Sequence, residues 1–383
     1  MTVPLRVLCL DIEGGHGGSS RSLFETLAAV DRQVVTPEVW CRRGGAIVDR
    51  YAHIGVTARV EPALPKVSAL PRTSRNLAVL ALYARDFARS GSVRRRLLNA
   101  ADRFDVVHFN HEAFAGLAGW LRRHSEVPVT MHLRTNLADT AFARYQYRLI
   151  SRAVDDRIFI TPNEEATYRR LGGTGRGQVV FNPVPLAADV APRPEIPRDD
   201  ALNVAALSNF ALIRGTDRLI DIAVALEPDA RIRFVVAGDM KVDASRSLAD
   251  IAQEAGAADR FVFLGHVPDP ERVLAACDLL IKPTREANPW GRDILEAMAQ
   301  GRPVMSYGHD STFVETDVTG VLMPDFDARR TAAQLLRLAG DRGLLHRMGA
   351  AARARVSRLC DPATQARAIA AVWQAAHARR RAS

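Results

Sequence analysis

Residues 5–30 read LRVLCLDIEGGHGGSSRSLFETLAAV. Leu5–Ile12 is an apolar run of strand length, four glycines fall within the five positions 14–18, and a helical pattern follows over Ser20–Val30. Strand, glycine-rich turn and helix in that order open a parallel α/β unit. The glycines let main-chain N–H groups approach a phosphate closely, and the helix start adds partial positive charge. A Rossmann dinucleotide loop is the competing use of such a turn. The spacing does not complete G-x-G-x-x-G, and no acid ends the second strand to hold a ribose. Arg42 and Arg43 there suit a 2′-phosphate instead.

Outward from this stretch the alternation continues. Strand-like runs recur at Val34–Cys41, Asp105–Phe109, Val127–His132 and Arg157–Thr161, separated by helical patterns. Pro185, Pro192, Pro194 and Pro197 then break it, which reads as an extended linker. Beyond them strands are predicted at Asn203–Leu207, Ile232–Ala237, Phe261–Leu264, Leu279–Lys282, Pro303–Tyr307 and Val321–Met323. Helices fill Gly215–Leu226, Ala244–Gly256, Asp269–Ala276 and Arg292–Gln300, and the last sixty residues read as helical. The fold class is α/β, with two doubly wound Rossmann-like domains facing each other across a cleft. Their bounds are 1–184 and 201–360, with a Pro-rich linker at 185–200 and a C-terminal helix at 361–383 returning to the first domain. Ligands of such sheets sit at the carboxyl ends of the strands.

The 383 residues are 48% apolar and 25% charged, as in a globular protein and unlike a disordered one. No uncharged apolar run approaches the roughly 18–20 residues that span a bilayer. Arg6 interrupts the N-terminal apolar stretch and Asp11 and Glu13 follow it, unlike a secretory signal. Cys9, Cys41, Cys277 and Cys360 are too far apart for a zinc cage or a disulfide framework. A cytoplasmic location follows as the expectation. The net charge of +9 belongs to the first half: 26 cations face 18 acids in residues 1–190, and 26 face 25 in 191–383. Residues 66–103 hold nine cations against two acids, including Arg94-Arg95-Arg96, beside the helical stretch Leu77–Ala88. A basic amphipathic helix suits peripheral contact with an anionic membrane face. Aromatic content of 6% and the lack of a reader motif argue against nucleic acid.

A second chemical motif occupies residues 282–301, KPTREANPWGRDILEAMAQG. A strand ends near Lys282, a Pro-containing loop follows, and a helix begins near Gly291. The amides of its first turn, Arg292–Leu295, suit a diphosphate. Glu296, one turn in, is placed to accept from ribose hydroxyls, and Glu286 or Asn288 to bind a sugar. His132 ends the strand at Val127–Met131, with Arg134 just beyond. His108 and His111 flank the end of the preceding strand.

These residues resemble the GT-B glycosyltransferases of family four, retaining enzymes that use nucleotide sugars. Leu295-Glu296-Ala297-Met298-Ala299-Gln300-Gly301-Arg302-Pro303-Val304 matches the tail of the family's donor signature. Pro289-Trp290-Gly291 replaces its Pro-Phe-Gly, and Asn288 stands where its first Glu belongs, with Glu286 two residues earlier. The glycines at 14–18, Gly15, Gly17 and Gly18 among them, resemble the loop that closes over donor phosphates. Asn182-Pro183-Val184 resembles the end of the family's first domain. Arg214-Gly215 fits the second of two diphosphate cations, and Ser208 and Asn209 stand where the first would be. Gly265-His266-Val267 resembles the loop beside the nucleobase. The resemblance implies a catalytic set of His132, Arg214, Glu286 and Asn288. It implies donor contacts from Gly15, Gly17, Gly18, Asn209, Arg214, Gly265, His266, Gly291, Arg292, Asp293, Ile294 and Glu296.

The reaction so implied is retaining transfer from a nucleotide sugar to a glycan or lipid-linked glycan acceptor, as in polysaccharide biosynthesis. The leaving phosphate oxygen takes the acceptor's proton, and no metal or other cofactor is called for. Asp325-Phe326-Asp327 has the spacing of metal-dependent glycosyltransferases of the other fold, but reads as a solvated turn. Two alternatives stay open: a sugar-nucleotide epimerase of the same architecture, and a non-catalytic nucleotide-sugar-binding protein.

Overall fold

The computed structural model describes residues 3–12, 17–65, 77–186, 190–207, 212–242, 246–286 and 289–382. Among the described residues the first unit carries seven strands: β1 (Leu5–Asp11), β2 (Val35–Cys41), β3 (Thr57–Val60), β4 (Val106–Phe109), β5 (Val129–Leu133), β6 (Asp156–Phe159) and β7 (Arg176–Val179). They run parallel in the order β3-β2-β1-β4-β5-β6-β7. Period-two alternation divides their side chains between two buried faces. Leu8 and Leu10 join Val107, Phe109, Val129, Met131 and Leu133 under the helices Gly91–Ala101, Ala115–Arg122 and Ala141–Ala153. Val7 and Cys9 join Val39, Val106 and Ile158 on the opposite face, covered by the helices Gly18–Ala29 and Pro362–Ala382. Trp373 of the last helix is wholly buried in that second cluster.

The second unit carries six strands among the described residues: β8 (Leu202–Leu207), β9 (Ile232–Ala237), β10 (Phe261–Gly265), β11 (Leu279–Lys282), β12 (Val304–Tyr307) and β13 (Gly320–Met323). They are also parallel, in the order β10-β9-β8-β11-β12-β13. Val204, Phe234, Leu279, Ile281, Met305 and Val321 form its core. The chain divides into Met1–Pro183 with Cys360–Ser383, and Val184–Leu359. The proline-rich stretch is held on the second unit: Arg193 Nε donates to Asp269 Oδ1 at 3.1 Å, and Arg272 Nε donates to Ala191 O at 3.1 Å.

The apolar runs read from the sequence become strands within two residues of their predicted ends. Two strands escaped that reading, β3 and β7, and both are sheet edges. Thr57-Ala58-Arg59-Val60 and Arg176-Gly177-Gln178-Val179 are largely exposed, so neither carries the apolar run that marks a covered strand. Their place comes from pairing with β2 and β6. The strand order reverses between β1 and β4 in the first sheet and between β8 and β11 in the second. Loops leave in opposite directions there, and a crevice opens at the carboxyl ends.

Trp373→Ala removes a large side chain from the face of the first sheet. It is expected to lower unfolding free energy by ~3–5 kcal/mol, read as a fall in the urea midpoint.

Candidate functional site

At the first reversal point the carboxyl ends of β1, β4 and β5 bring polar side chains into a dry setting. Asp11 is wholly buried and accepts from Ser20 Oγ and, at 2.8 Å, from Asn110 Nδ2. Asn110 Nδ2 also donates to Ser19 O at 3.1 Å, so the start of the helix Gly18–Ala29 is tied to two strand ends. Arg134 Nε donates to Asn110 O at 2.7 Å and Nη2 to Asn110 Oδ1 at 2.5 Å. Its Nη1 reaches Asn182 Oδ1 at 2.8 Å. Glu112, also wholly buried, accepts from Arg134 N at 3.0 Å and from the Thr135 hydroxyl.

His132 lies one residue before the end of β5 and is almost fully buried. Its Nδ1 is 2.8 Å from His108 Nε2, and His108 Nδ1 is 2.8 Å from Thr130 Oγ1. Burial, then the Arg134 guanidinium, pushes the His108 imidazolium down to about 3. The same causes, followed by His108 and His111, hold His132 well below its ordinary value. Both rings are therefore neutral near pH 7.

At the second reversal point the loops after β8 and β11 lock together. Gly215 has φ +72° and a Cβ there would overlap the Pro283 carbonyl oxygen, so only glycine permits the approach. Arg285 N donates to Ile213 O at 2.9 Å, and Arg218 Nη1 to Thr284 O at 2.9 Å. Arg285 grips both Asp217 oxygens at 2.7 and 2.6 Å. This brings Arg214 and Glu286 to 3.7 Å, both partly exposed. Lys282, buried at the end of β11, donates to Trp290 O at 2.7 Å and Asp293 Oδ1 at 3.1 Å. It thereby fixes the start of the helix Arg292–Ala299. A Cβ on Gly291 would overlap the Lys282 ammonium.

The predicted residues fall out as follows. Gly15, Asn209 and Asn288 lie outside the described residues. Gly17 and Gly18 open the first helix. Gly265 ends the edge strand β10, two strands from β8, with His266 exposed just beyond. Leu295 N is taken by Gly291 O at 3.1 Å, so the helix's own hydrogen bonds begin there and Arg292, Asp293 and Ile294 form its first turn. The Ile294 side chain is buried in the core, so only its main chain is on offer. Glu296 does not stand alone: Arg292 Nε donates to its Oε1 at 2.7 Å. Sequence reasoning missed Asp11, Asn110, Thr130 and Lys282. Their signal was a polar residue within or directly ending a strand that is otherwise apolar.

Other candidates resolve to structure. Asp327 Oδ1 accepts from Arg330 N at 2.7 Å and caps the helix Ala328–Gly340. Arg42 Nε donates to Leu64 O at 3.0 Å. Among the described residues no group of three or more His, Cys, Asp or Glu is arranged to hold a metal ion. Within the basic segment, Arg96 is paired with the buried Glu61. Arg89, Arg94 and Arg95 line a depression of about 460 Å³ with Trp120, and Arg94 lies over the Phe87 ring at 4.6 Å. Among the described residues no helix is long and apolar enough to cross a membrane.

Residues 17–185 match the family model described as glycosyl transferase 4-like domain, and residues 201–341 that described as glycosyl transferases group 1. The D-inositol 3-phosphate glycosyltransferase of Thermobispora bispora is 29% identical over 316 residues, 73% of this chain and 72% of that protein. HepE of Anabaena, solved in complex with UDP-glucose, has a similar fold, with a TM-score of 0.75 at 20% identity over 97% of this chain and 100% of that one. Sucrose-phosphate synthase from Thermosynechococcus elongatus gives a TM-score of 0.74 at 19% identity over 98% and 100%.

His108 protonates near 3 when folded and near its ordinary 6.5 when unfolded, so the unfolded chain binds more protons between those values. The stability this lends is complete above about 6.5 and is lost as pH falls toward 3. The urea midpoint is expected to drop between about pH 7 and pH 4, and the drop to be shallower in His108→Asn.

Proposed function

This chain belongs to the GT-B glycosyltransferases of family four, and on that premise we propose that it moves a sugar from a nucleotide-sugar donor, with retention, onto a glycan or lipid-linked glycan. The observation that carries this reading is the grouping at the carboxyl ends of β8 and β11. Arg214 lies 3.7 Å from Glu286, in the unit where Lys282 fixes the amide-bearing start of the helix Arg292–Ala299. A diphosphate leaving group gains negative charge as the sugar departs. Arg214 and the amides of Arg292–Ile294 neutralise it, which lowers the barrier most in a water-poor site. Glu286 is the described carboxylate beside Arg214 and binds sugar hydroxyls. Glu296 accepts from the ribose while Arg292 holds its Oε1. The leaving phosphate oxygen takes the acceptor's proton, so no metal and no separate base is required.

The UDP-glucose complex of the Anabaena neighbour supports a nucleoside diphosphate sugar as the donor class. Relatives named as glycosyltransferases favour transfer over epimerisation and over binding alone. In this reading Arg89, Arg94 and Arg95 meet anionic lipid at the inner face of the membrane, where a lipid-linked acceptor resides.

Two measurements test this. Nucleoside diphosphate binding without added metal, followed by calorimetry, is expected to weaken at least tenfold, about 1.4 kcal/mol, in both Arg214→Ala and Glu296→Ala. Unchanged affinity in both variants would refute the donor site. Sedimentation with anionic vesicles is expected to fall severalfold in Arg94→Ala/Arg95→Ala and to vanish with neutral lipid. Binding that survives the double substitution removes the membrane contact from the proposal.

A further inference from the structure

Three polar side chains stand in line on one face of β4 and β5. Thr130 is opposite His108 in the strand register, and His132 follows two residues later on the same face. The contacts are Thr130 Oγ1 to His108 Nδ1 at 2.8 Å and His108 Nε2 to His132 Nδ1 at 2.8 Å. The two rings meet edge to face, at 83° with centroids 4.9 Å apart. Trp373 meets the His108 ring edge to face, with its ring centroid 5.5 Å away. Thr130 and His108 are wholly buried.

A neutral imidazole has one N–H and one lone pair, so these two hydrogen bonds fix the tautomers of both rings together. Two arrangements satisfy the ring contacts. In the first, His132 Nδ1–H donates to His108 Nε2, and His108 Nδ1–H donates to Thr130 Oγ1. The Thr130 hydroxyl proton then needs another acceptor, and among the described residues this hydroxyl has no other partner. A buried donor without an acceptor is costly. In the second, Thr130 O–H donates to His108 Nδ1 and His108 Nε2–H donates to His132 Nδ1. The Thr130 proton is then used, and the one hydrogen left over is on His132 Nε2, at the end of the line and near the carboxyl end of β5.

We propose that Thr130 and His108 are positioning residues that lock His132 as an Nε2–H hydrogen-bond donor, so that it holds a hydroxyl oxygen of the bound sugar or acceptor and does not serve as a base. What this hydrogen meets rests on the transferase reading; where the hydrogen sits does not. A donor at this position orients its hydroxyl group without competing for the proton that the leaving phosphate oxygen takes. The first arrangement would make His132 Nε2 a lone-pair acceptor and a candidate base, so the tautomer decides the role.

The test uses the full chain labelled with ¹⁵N-histidine and long-range ¹H–¹⁵N spectra near pH 7, with no ligand. His108 and His132 are expected to be neutral, both protonated at Nε2. An Nδ1–H signal from either ring, or a charged ring, overturns the proposal. Thr130→Ser keeps the hydroxyl and is expected to keep both tautomers. Thr130→Val keeps the shape without the hydroxyl and is expected to populate a second tautomer of the pair. Unchanged tautomers in a folded Thr130→Val chain would remove Thr130 from the role. A chain with the Nε2–H tautomers that transfers no sugar upholds the relay and counts against the transferase reading alone.

Discussion

Each parallel sheet is covered on both faces, so a polar side chain on an inner strand must find its partner inside the protein. That constraint organises the first unit. Asn110 answers it by donating to Asp11 and to the Ser19 carbonyl while accepting from Arg134. One amide side chain thereby joins the carboxyl ends of β1 and β4 to the start of the first helix and to a guanidinium anchored on Asn182. The line of Thr130, His108 and His132 answers the same constraint one layer deeper. It stays dry because Trp373, contributed by the last helix, packs on His108. Polar groups so placed are rigid, and rigidity at strand ends is what a binding site needs.

In the second unit the work is divided among cations. Arg218 and Arg285 spend their donors on carbonyls and on Asp217, which holds the two loops at the reversal point together. Lys282 does the same for the loop leading into the helix Arg292–Ala299. Arg214 is left half-exposed, facing Glu286 at a distance where an exposed pair contributes little to stability, roughly 0–1 kcal/mol. A weakly held ion pair at the end of two strands costs little to open when a charged ligand arrives. The surplus cations of the first half divide the same way: Arg96 is committed to Glu61, while Arg89 and Arg95 remain at the surface.

Most of the architecture was legible because covered parallel strands are apolar runs and their helices are amphipathic, both of which show within a window of a dozen residues. β3 and β7 were illegible for the complementary reason: an edge strand exposed on its face needs no apolar run, and only a neighbour's free ladder recruits it. In the site, Glu286, Glu296 and His132 could be singled out from their place at strand ends and helix starts, and Arg214 from the resemblance to the family. Their partners could not. Nothing in the spelling of residues 292–296 says that Arg292 turns back onto Glu296 rather than out to solvent. Nor does the segment 282–291 reveal that Lys282 reaches Trp290 and Asp293.

The sequence by itself determined two α/β units, the glycine-rich turn after the first strand, and the loop-to-helix element that presents amides to an anion. All of these depend on interactions among residues a few positions apart, where side-chain period and glycine's lack of a Cβ leave little choice. The tertiary structure alone decided which distant polar groups meet. Asp11 finds Asn110 across 99 residues only because β1 and β4 are neighbours at the reversal of strand order. His108 meets Trp373 only because the last helix packs on the sheet of the first unit. Strand order and helix docking are set by burying the whole core at once, and the tautomer of His132 inherits that decision.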